Sequence, residues 1–242
     1  MILKIKVMNA IKLALFGIIL SLAALAFSSC KKLAGLPLQE NTTHVVSTID
    51  PHIHKSALQF LMDRALGSVP DDTIFKRMYQ AVLYSGIDTA EYSKAGRTFL
   101  FLHNDAVYRL ASNKITTDCI FGHYLAGGKP ATKWEDYSPG FVKNYLLSLM
   151  VDGEYSFENV GPDPVVKTTL MPAGTDTLNP KSKIVFTVVN DRNSRFTING
   201  FPGSAFPAPN LTAPGLAART AGILSTNGPV HVVDRVVFYQ VQ

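Results

Sequence analysis

The hydrophobic period of the sequence changes once, close to Met150, and this change limits the folds that the chain can adopt. Before Met150, apolar residues recur at helical spacing, and one dense β-forming run interrupts them; the helical segments are 57–65, 74–82 and 141–149, and the run is 98–102. After Met150 the pattern predicts strands at 155–159, 165–170, 184–189, 195–198, 222–225 and 230–238. Helices followed by strands, without an internal repeat, predict a single α+β domain.

Composition narrows the class of protein further. The chain has 242 residues, 47% hydrophobic and 17% charged, which is typical of a globular protein. Its two cysteines are too few for a disulfide-stapled fold. Much of the net charge of +5 comes from residues 1–29, which carry three lysines and no acid, so the remainder has 20 basic and 18 acidic side chains, or +2. We therefore expect no nucleic-acid partner.

The N-terminus has the three parts of a secretory signal. Lysines precede an apolar run, Leu13–Phe27, which Ser28-Ser29-Cys30-Lys31-Lys32 follows. The run is shorter than the roughly 18–20 residues that span a bilayer. The segment resembles a bacterial lipobox, which implies cleavage after residue 29 and acylation, by palmitate among other chains, of Cys30. The alternative, a plain signal peptide with an incidental cysteine, stays open.

The first 55 residues are accordingly predicted to be a leader and a linker. Residues 1–29 are the signal peptide, and the polar, aperiodic segment 30–55 is a tether that holds the domain 56–242 off the membrane. We expect the protein to be exported and anchored to the outer membrane, on the cell surface or on the periplasmic face.

The sequence offers little for catalysis. Cys119 lies in an apolar context that favours a buried thiol over a nucleophile. The glycine-rich segment 122–130 lacks the Gly-Lys-Ser/Thr of a phosphate loop, and Pro130 removes a backbone donor there. His52 and His54 could supply metal ligands, but no second ligand cluster accompanies them. We expect no catalytic residue, no metal, no cofactor and no enzymatic activity.

Two segments carry a family resemblance. Ser225–Val237 contains an Asn-Gly turn followed by an apolar-His-apolar-apolar-Asp-Arg-apolar strand, and it resembles the C-terminal signature of fasciclin (FAS1) domains. Arg97–Val107 resembles the upstream signature of that family, with Leu102-His103 where Pro-Thr is usual. The motif residues, which we interpret as structural, are Thr98, Asn104, Asp105, Asn227, Gly228, His231 and Asp234.

Residue chemistry in the tail is consistent with that interpretation. Asn227-Gly228 can adopt the positive φ that a tight hairpin requires. His231 and Asp234 lie on opposite faces of a regular strand, so a direct pair is not expected. We predict that His231 is a hydrogen-bonded framework residue.

The resemblance extends over residues 56–238, with extra length near 117–137 and 159–180. It implies a compact β-sandwich or wedge flanked by helices, and a role in adhesion or extracellular interaction. Leu146–Tyr155 is similar to a third family segment, but Ser148-Leu149 stand in place of the Tyr-His pair implicated in receptor binding by animal members. Adhesion through that pair is therefore not carried over.

Two further patterns suggest ligands or modification. Trp134 and Tyr137, with Phe141 and Tyr145 nearby, could form a sugar-stacking platform; the other interpretation is that these rings pack an insertion onto the core. Such a platform would suit an accessory glycan-binding subunit of an outer-membrane nutrient-capture system. The ligand, whether protein or polysaccharide, and the oligomeric state stay open.

Three threonines lie in Asp-Thr-apolar tripeptides, at Thr73, Thr89 and Thr177. These tripeptides resemble the O-glycosylation sites of exported proteins from Bacteroidota, and together with the lipobox they suggest that phylum as the source. If the sites are used, we expect their side chains to be exposed at loops or helix starts.

Overall fold

A computed structural model of the chain describes residues 50–67, 72–189, 192, 194–200 and 215–238. These residues belong to one compact unit, 50–242. The predicted signal peptide, Cys30 and tether residues 31–49 lie outside the described residues.

The helices precede most of the strands, as the hydrophobic period predicts. They are α1 (Ala57–Asp63), α2 (Lys76–Ser85), α3 (Asn104–Val107), α4 (Ile120–His123) and α5 (Pro139–Ser148), with 3₁₀ turns at Thr89–Tyr92 and Trp134–Asp136. Helix α5 begins where the sequence indicates, because the Ser138 side chain accepts a hydrogen bond from the backbone N–H of Phe141 and Pro139 occupies the first turn.

One four-stranded sheet joins the middle of the chain to its end. Its spatial order is β11-β12-β1-β6, with bounds β1 Arg97–Leu102, β6 Met150–Asp152, β11 Thr220–Ser225 and β12 Gly228–Val233. Strand β1 runs parallel to β12 and antiparallel to β6. Every residue of β1 is buried, as expected of a central strand covered on both faces.

A second four-stranded sheet is entirely antiparallel. Its order is β10-β9-β8-β7, with bounds β7 Val165–Thr168, β8 Lys183–Val189, β9 Arg195–Ile198 and β10 Leu216–Ala217. Two short hairpins complete the described strands: β2 Leu110–Ala111 with β3 Lys114–Ile115, and β4 Leu125–Ala126 with β5 Lys129–Pro130.

The two sheets and the helices share one hydrophobic core. Phe99 and Phe101 of β1 and Phe186 and Phe196 of β8 and β9 belong to the same buried cluster. The rings of Phe196 and His231 stack with centroids 3.9 Å apart, which joins β9 to β12 across the two sheets. The α+β prediction is confirmed.

Two of the predicted strands differ from the structure. Residues 155–159 form a turn, not a strand, because the backbone N–H of Ser156 donates to Oδ1 of Asn159 (2.9 Å) and that of Val160 donates to the carbonyl of Ser156 (3.0 Å). Strand β12 ends at Val233 and not at residue 238; beyond it, the N–H of Val236 donates to the carbonyl of Asp118.

The segment 117–134, which includes most of the extra length near 117–137, contains regular secondary structure. Helix α4 and the β4–β5 hairpin lie within it, and Gly127 and Gly128 form the hairpin turn with φ of 59° and 78°. Two successive residues with positive φ are what a two-residue hairpin turn requires. The Gly-Gly pair is thus the sequence signal for this hairpin.

Residues 51–55 belong to the domain, so the predicted tether boundary at residue 55 is wrong. His52 bridges Leu224 of β11 in parallel; the N–H of Ile53 donates to the Leu224 carbonyl, and the N–H of Leu224 donates to that of Pro51, both at 3.0 Å. The segment extends the sheet at the edge formed by β11.

Within the described ranges, no helix is both long enough and apolar enough to cross a bilayer.

Candidate functional site

Asn227 joins three segments that are distant in the chain. Its side chain is buried; Oδ1 accepts from the N–H of Ala57 (2.8 Å), and Nδ2 donates to the carbonyls of Tyr92 (3.0 Å) and Lys94 (3.1 Å). Of the two turn residues, Gly228 has a positive φ and Asn227 does not. The amide connects the start of α1, the first 3₁₀ turn and the β11–β12 hairpin.

Gly228 lies against the backbone of β1. Its φ is +141°, and a Cβ atom built there would come within 1.8 Å of the carbonyl oxygen of Arg97. Only glycine allows the hairpin and β1 to approach this closely.

His231 is fully buried and has both ring nitrogens engaged. Nδ1 accepts from the N–H of Gly222 (3.2 Å), and Nε2 lies 2.8 Å from the carbonyl oxygen of Tyr155, to which it donates. A β-bulge in β11 between Thr220 and Ile223 leaves the Gly222 N–H available for this bond. Burial lowers the pKa of His231 to about 4, so the ring is neutral at pH 7.

The upstream motif residues also form framework contacts. Oγ1 of Thr98 donates to the carbonyl of Gly153 (2.7 Å) and accepts from the N–H of Tyr155 (2.8 Å). Asn104 accepts from the N–H of Arg77 (3.0 Å) and donates to the carbonyl of Thr73 (2.7 Å). These bonds tie β1 to the loop after β6, and α3 to the start of α2.

Asn104 is the first residue of α3 and not its cap. His103 takes the capping position, where its Nδ1 accepts from the N–H of Asp105. The helix is one turn long and stops at Val107; Leu110 lies in β2 and is 49% exposed.

Asp105 and Asp234 belong to a partly exposed network of ion pairs. Asp105 lies 3.4 Å from a guanidinium nitrogen of Arg219, and Asp234 lies 3.5 Å from one of Arg109. Arg109 also donates to the backbone carbonyl of Asp234 (2.7 Å) and pairs with Asp118. The network joins the end of β12 to the loops around α3 and α4.

The prediction that Trp134 and Tyr137 form a sugar-stacking platform is wrong. Trp134 is only 4% exposed, its ring packs edge-on against Phe121, and its Nε1–H donates to the carbonyl of Arg77 (2.8 Å). Tyr137 is half-buried and donates its hydroxyl to the carbonyl of Tyr124 (2.6 Å). The two rings pack the 117–137 segment onto the core and do not form an open stacking surface.

A different aromatic cavity opens beside α5, and we call it the α5 pocket. Its volume is about 380 Å³. The residues that define it are Tyr124, Phe141, Asn144, Asp176, Thr177 and Phe238. Phe141 and Tyr145 were placed on one face of α5 from their spacing; Asn144, Asp176 and Phe238 were missed, because they come from segments far apart in the chain.

Polar groups in the α5 pocket are only partly engaged. Oδ1 of Asp176 accepts from the N–H of Leu178 (2.8 Å), whereas Oδ2 has no hydrogen-bond partner among the described residues. The Asn144 amide, half-buried, likewise has none within the described part of the chain. Burial, with a smaller effect of Asp176, raises the pKa of Tyr124 well above its usual range.

Ser148 and Leu149 stand where animal members of the fasciclin family have the Tyr-His pair implicated in receptor binding. Both side chains make contacts within the domain. Ser148 donates its hydroxyl to the carbonyl of Tyr145 (2.6 Å), and Leu149 is buried in the core.

The histidine pair near the start of the domain is held by a carboxylate. Nδ1 of His52 lies 2.7 Å from Asp50 Oδ1, and Nε2 of His54 lies 3.3 Å from Asp50 Oδ2, all on exposed side chains. Among the residues that the structure describes, no group of three or more metal-ligating side chains is placed to hold an ion. Cys119 is buried, with its thiol 3.1 Å from the carbonyl of Thr116.

The three threonines of the tripeptides differ in exposure. Thr89 is exposed at the first residue of a 3₁₀ turn, and Thr177 is exposed in the loop before β8. Thr73 is half-buried next to the start of α2.

No protein-family model matches the chain, and no curated protein matches it. Among solved structures, the chain is similar to a FAS1 domain pair from the insect cell adhesion molecule fasciclin I. The TM-score is 0.41 at 13% sequence identity, and the match covers 68% of this chain and 45% of that one, less than half of its length. At this identity and TM-score, the likeness carries no information on activity or ligand.

Proposed function

We propose that the chain is a lipid-anchored, fasciclin-like interaction module of a bacterial cell envelope, which acts in adhesion or in contact with extracellular protein or polysaccharide. The proposal contains no catalytic role and no cofactor. It places the domain outside the inner membrane, held by Cys30 on the outer membrane.

One observation carries the fold half of this proposal. Three of the residues that give the sequence its fasciclin resemblance occupy buried positions at junctions between elements: Asn227 between the hairpin and α1, Gly228 against β1, and His231 between the two sheets. Residues at such positions determine a fold and do not converge on a reactive centre. A motif with this role supports membership of a structural family of interaction domains.

The anchor half of the proposal is supported by the leader. A cysteine directly after two serines at the end of the apolar run resembles a bacterial lipobox, and this resemblance supports lipid attachment at Cys30. Cys119 is buried and hydrogen-bonded, which leaves Cys30 as the thiol suited to modification.

Protease shaving of intact cells tests the location. We expect an antibody against the domain to lose its full-length band on intact cells, and metabolic palmitate label to enter the native chain but not the Cys30→Ala variant. Protection of the band until the outer membrane is opened would contradict surface adhesion and leave an envelope scaffold.

Retention of cells on a protein or polysaccharide matrix tests the role itself. Cells that carry the native chain should be retained more strongly than cells that carry Cys30→Ala, in which the domain is made but not anchored. Equal retention of both, with equal amounts of protein, would contradict an adhesive function.

The glycan-capture alternative loses its first structural basis, because Trp134 is buried. The α5 pocket provides a different one.

A further inference from the structure

We propose that the α5 pocket binds one sugar unit of a neutral glycan. The proposal deepens the interaction role proposed above by naming a ligand class and a site for it. It does not depend on the location of the domain, since the pocket is formed by described residues of one compact unit.

One wall of the α5 pocket is aromatic. Phe141 and Phe238 are half-buried, and Tyr124 packs edge-on against Phe141 with centroids 5.2 Å apart. The ring of His123 lies against that of Phe238, with centroids 4.1 Å apart and planes tilted by 32°, and extends the same wall. Aromatic surface of this kind packs on the apolar C–H face of a pyranose or furanose ring.

The α5 pocket also contains polar side-chain groups that have no hydrogen-bond partner among the described residues. The Asn144 amide can both donate and accept, and Oδ2 of Asp176 can accept from two hydroxyls. The hydroxyl of Thr177 is exposed at the rim. A ligand with several hydroxyl groups matches a few placed polar groups against an apolar wall.

The charges at the α5 pocket favour a neutral ligand over an anionic one. Asp176 and Lys183 are the charged residues at the pocket, and they cancel. The Lys183 ammonium donates to Oγ1 of Thr168 (2.6 Å), so one of its donors is already used. Burial lowers the pKa of His123, which keeps its ring neutral at pH 7. A sulfated or uronic-acid glycan would meet no concentration of positive charge here.

Size agrees with a single unit of a longer chain. A volume of about 380 Å³ lies at the lower end of the range, roughly 300–1,000 Å³, of small-molecule sites. We therefore expect weak binding per site and recognition within a polysaccharide, with neighbouring sugar units outside the cavity.

Affinity electrophoresis of the full chain in detergent tests the proposal. The probes are five neutral polysaccharides, namely starch, levan, β-glucan, mannan and xylan, with alginate as an anionic comparison. We expect at least one neutral gel to retard the native chain and alginate not to do so. Titration calorimetry with the matching oligosaccharide then gives a dissociation constant.

Two variants probe the polar side of the pocket. Asn144→Ala removes an amide without a described partner, and Asp176→Asn retains Oδ1 for the N–H of Leu178 while removing the carboxylate charge. Each should weaken binding about tenfold or more, because a ligand hydroxyl loses its partner. Lys143→Ala, one residue along α5 and exposed, is the matched control and should bind like the native chain.

Three outcomes would overturn the proposal. One is a lack of retardation in all five neutral gels; a second is retardation by alginate alone; the third is equal binding by Asn144→Ala, Asp176→Asn and the native chain when all three melt at the same temperature. A failure here is distinguishable from failure of the adhesion proposal, because matrix retention of cells compares the native chain with Cys30→Ala and does not require this pocket.

Discussion

The side-chain oxygen of Asn227 accepts a hydrogen bond of 2.8 Å from the backbone N–H of Ala57, 170 residues earlier in the chain. This bond satisfies a donor at the start of α1, where helix N–H groups have no intrahelical partner. The same amide binds two carbonyls of the segment that precedes β1. One buried side chain thereby holds the first helix, the central strand and the last hairpin in register.

Replacing Asn227 should therefore destabilise the whole domain. We expect Asn227→Ala to lower the free energy of unfolding by about 2–4 kcal/mol, because Ala57 N–H and the carbonyls of Tyr92 and Lys94 lose their partner in a buried site. Urea denaturation followed by circular dichroism measures this. Asn144→Ala, which breaks no hydrogen bond among the described residues, is the control and should stay within about 0.5 kcal/mol. A similar small change for Asn227→Ala would show that the hairpin is held by other contacts.

Gly228→Ala should be at least as damaging, for a steric reason. The new Cβ would overlap the carbonyl oxygen of Arg97, and φ of +141° is strained for any side chain. We expect a loss of about 3 kcal/mol or more, measured in the same way. Gly140→Ala is the matched control, since nothing lies within 4 Å of its Cβ position in the first turn of α5. That variant should be neutral or slightly stabilising; equal effects of the two substitutions would contradict the close approach of the hairpin to β1.

His231 predicts how stability depends on pH. Its pKa falls from an ordinary value of 6.5 to about 4 in the folded protein, because burial disfavours the charged ring. The folded state therefore binds the proton less readily than the unfolded state, so the contribution is complete above pH 6.5, declines as pH falls towards 4, and changes little below that. The total is about 3 kcal/mol.

The measurement is the free energy of unfolding between pH 7.5 and 4 for the native chain and for His231→Gln. The native chain should lose more stability over this interval than the variant does, whatever their absolute values. Parallel curves for the native chain and His231→Gln would show that the ring is accessible to protons in the folded state.

Tyr92 offers a stabilising substitution. Its ring is buried and stacks on Phe99, but its hydroxyl has no hydrogen-bond partner among the described residues. Tyr92→Phe removes an unsatisfied polar atom and retains the packing. We therefore expect the free energy of unfolding, measured by thermal or chemical denaturation, to rise by about 1 kcal/mol. Tyr145→Phe is the comparison, because that hydroxyl donates to the carbonyl of Val237 and accepts from its N–H, and its loss should destabilise the domain. A loss for both would mean that Tyr92 has a partner after all.

Local chemistry explains which elements could be predicted from the sequence. Helix α5 was predictable because Ser138-Pro139 and the spacing of Phe141 and Tyr145 point to the same start and the same buried face. Strand β1 was predictable because its β-forming residues are buried on both sides. The turn at 155–159 was not, since the hydrogen bond that the Asn159 side chain accepts from the N–H of Ser156 outweighs the aromatic and apolar residues that indicate a strand.

The site was less predictable than the fold. Trp134 and Tyr137 have the residue types of a sugar platform, but type alone does not tell whether a ring faces solvent, and here hydrogen bonds to backbone carbonyls hold both inward. The α5 pocket depends on Asn144, Asp176 and Phe238 meeting in space. Their separation along the chain leaves no periodicity or spacing from which this meeting could be inferred.

The pairing of residues 51–55 with β11 has a mechanical consequence. If the protein is anchored at Cys30, a pull on the domain enters through Pro51, and the first bonds to bear it are those that Ile53 and Pro51 make with Leu224. The bridge is parallel, so a pull directed along β11 would load these two bonds together in shear and would not open them one by one. A domain attached in this way can transmit tension to its central sheet without first unravelling from its N-terminal end.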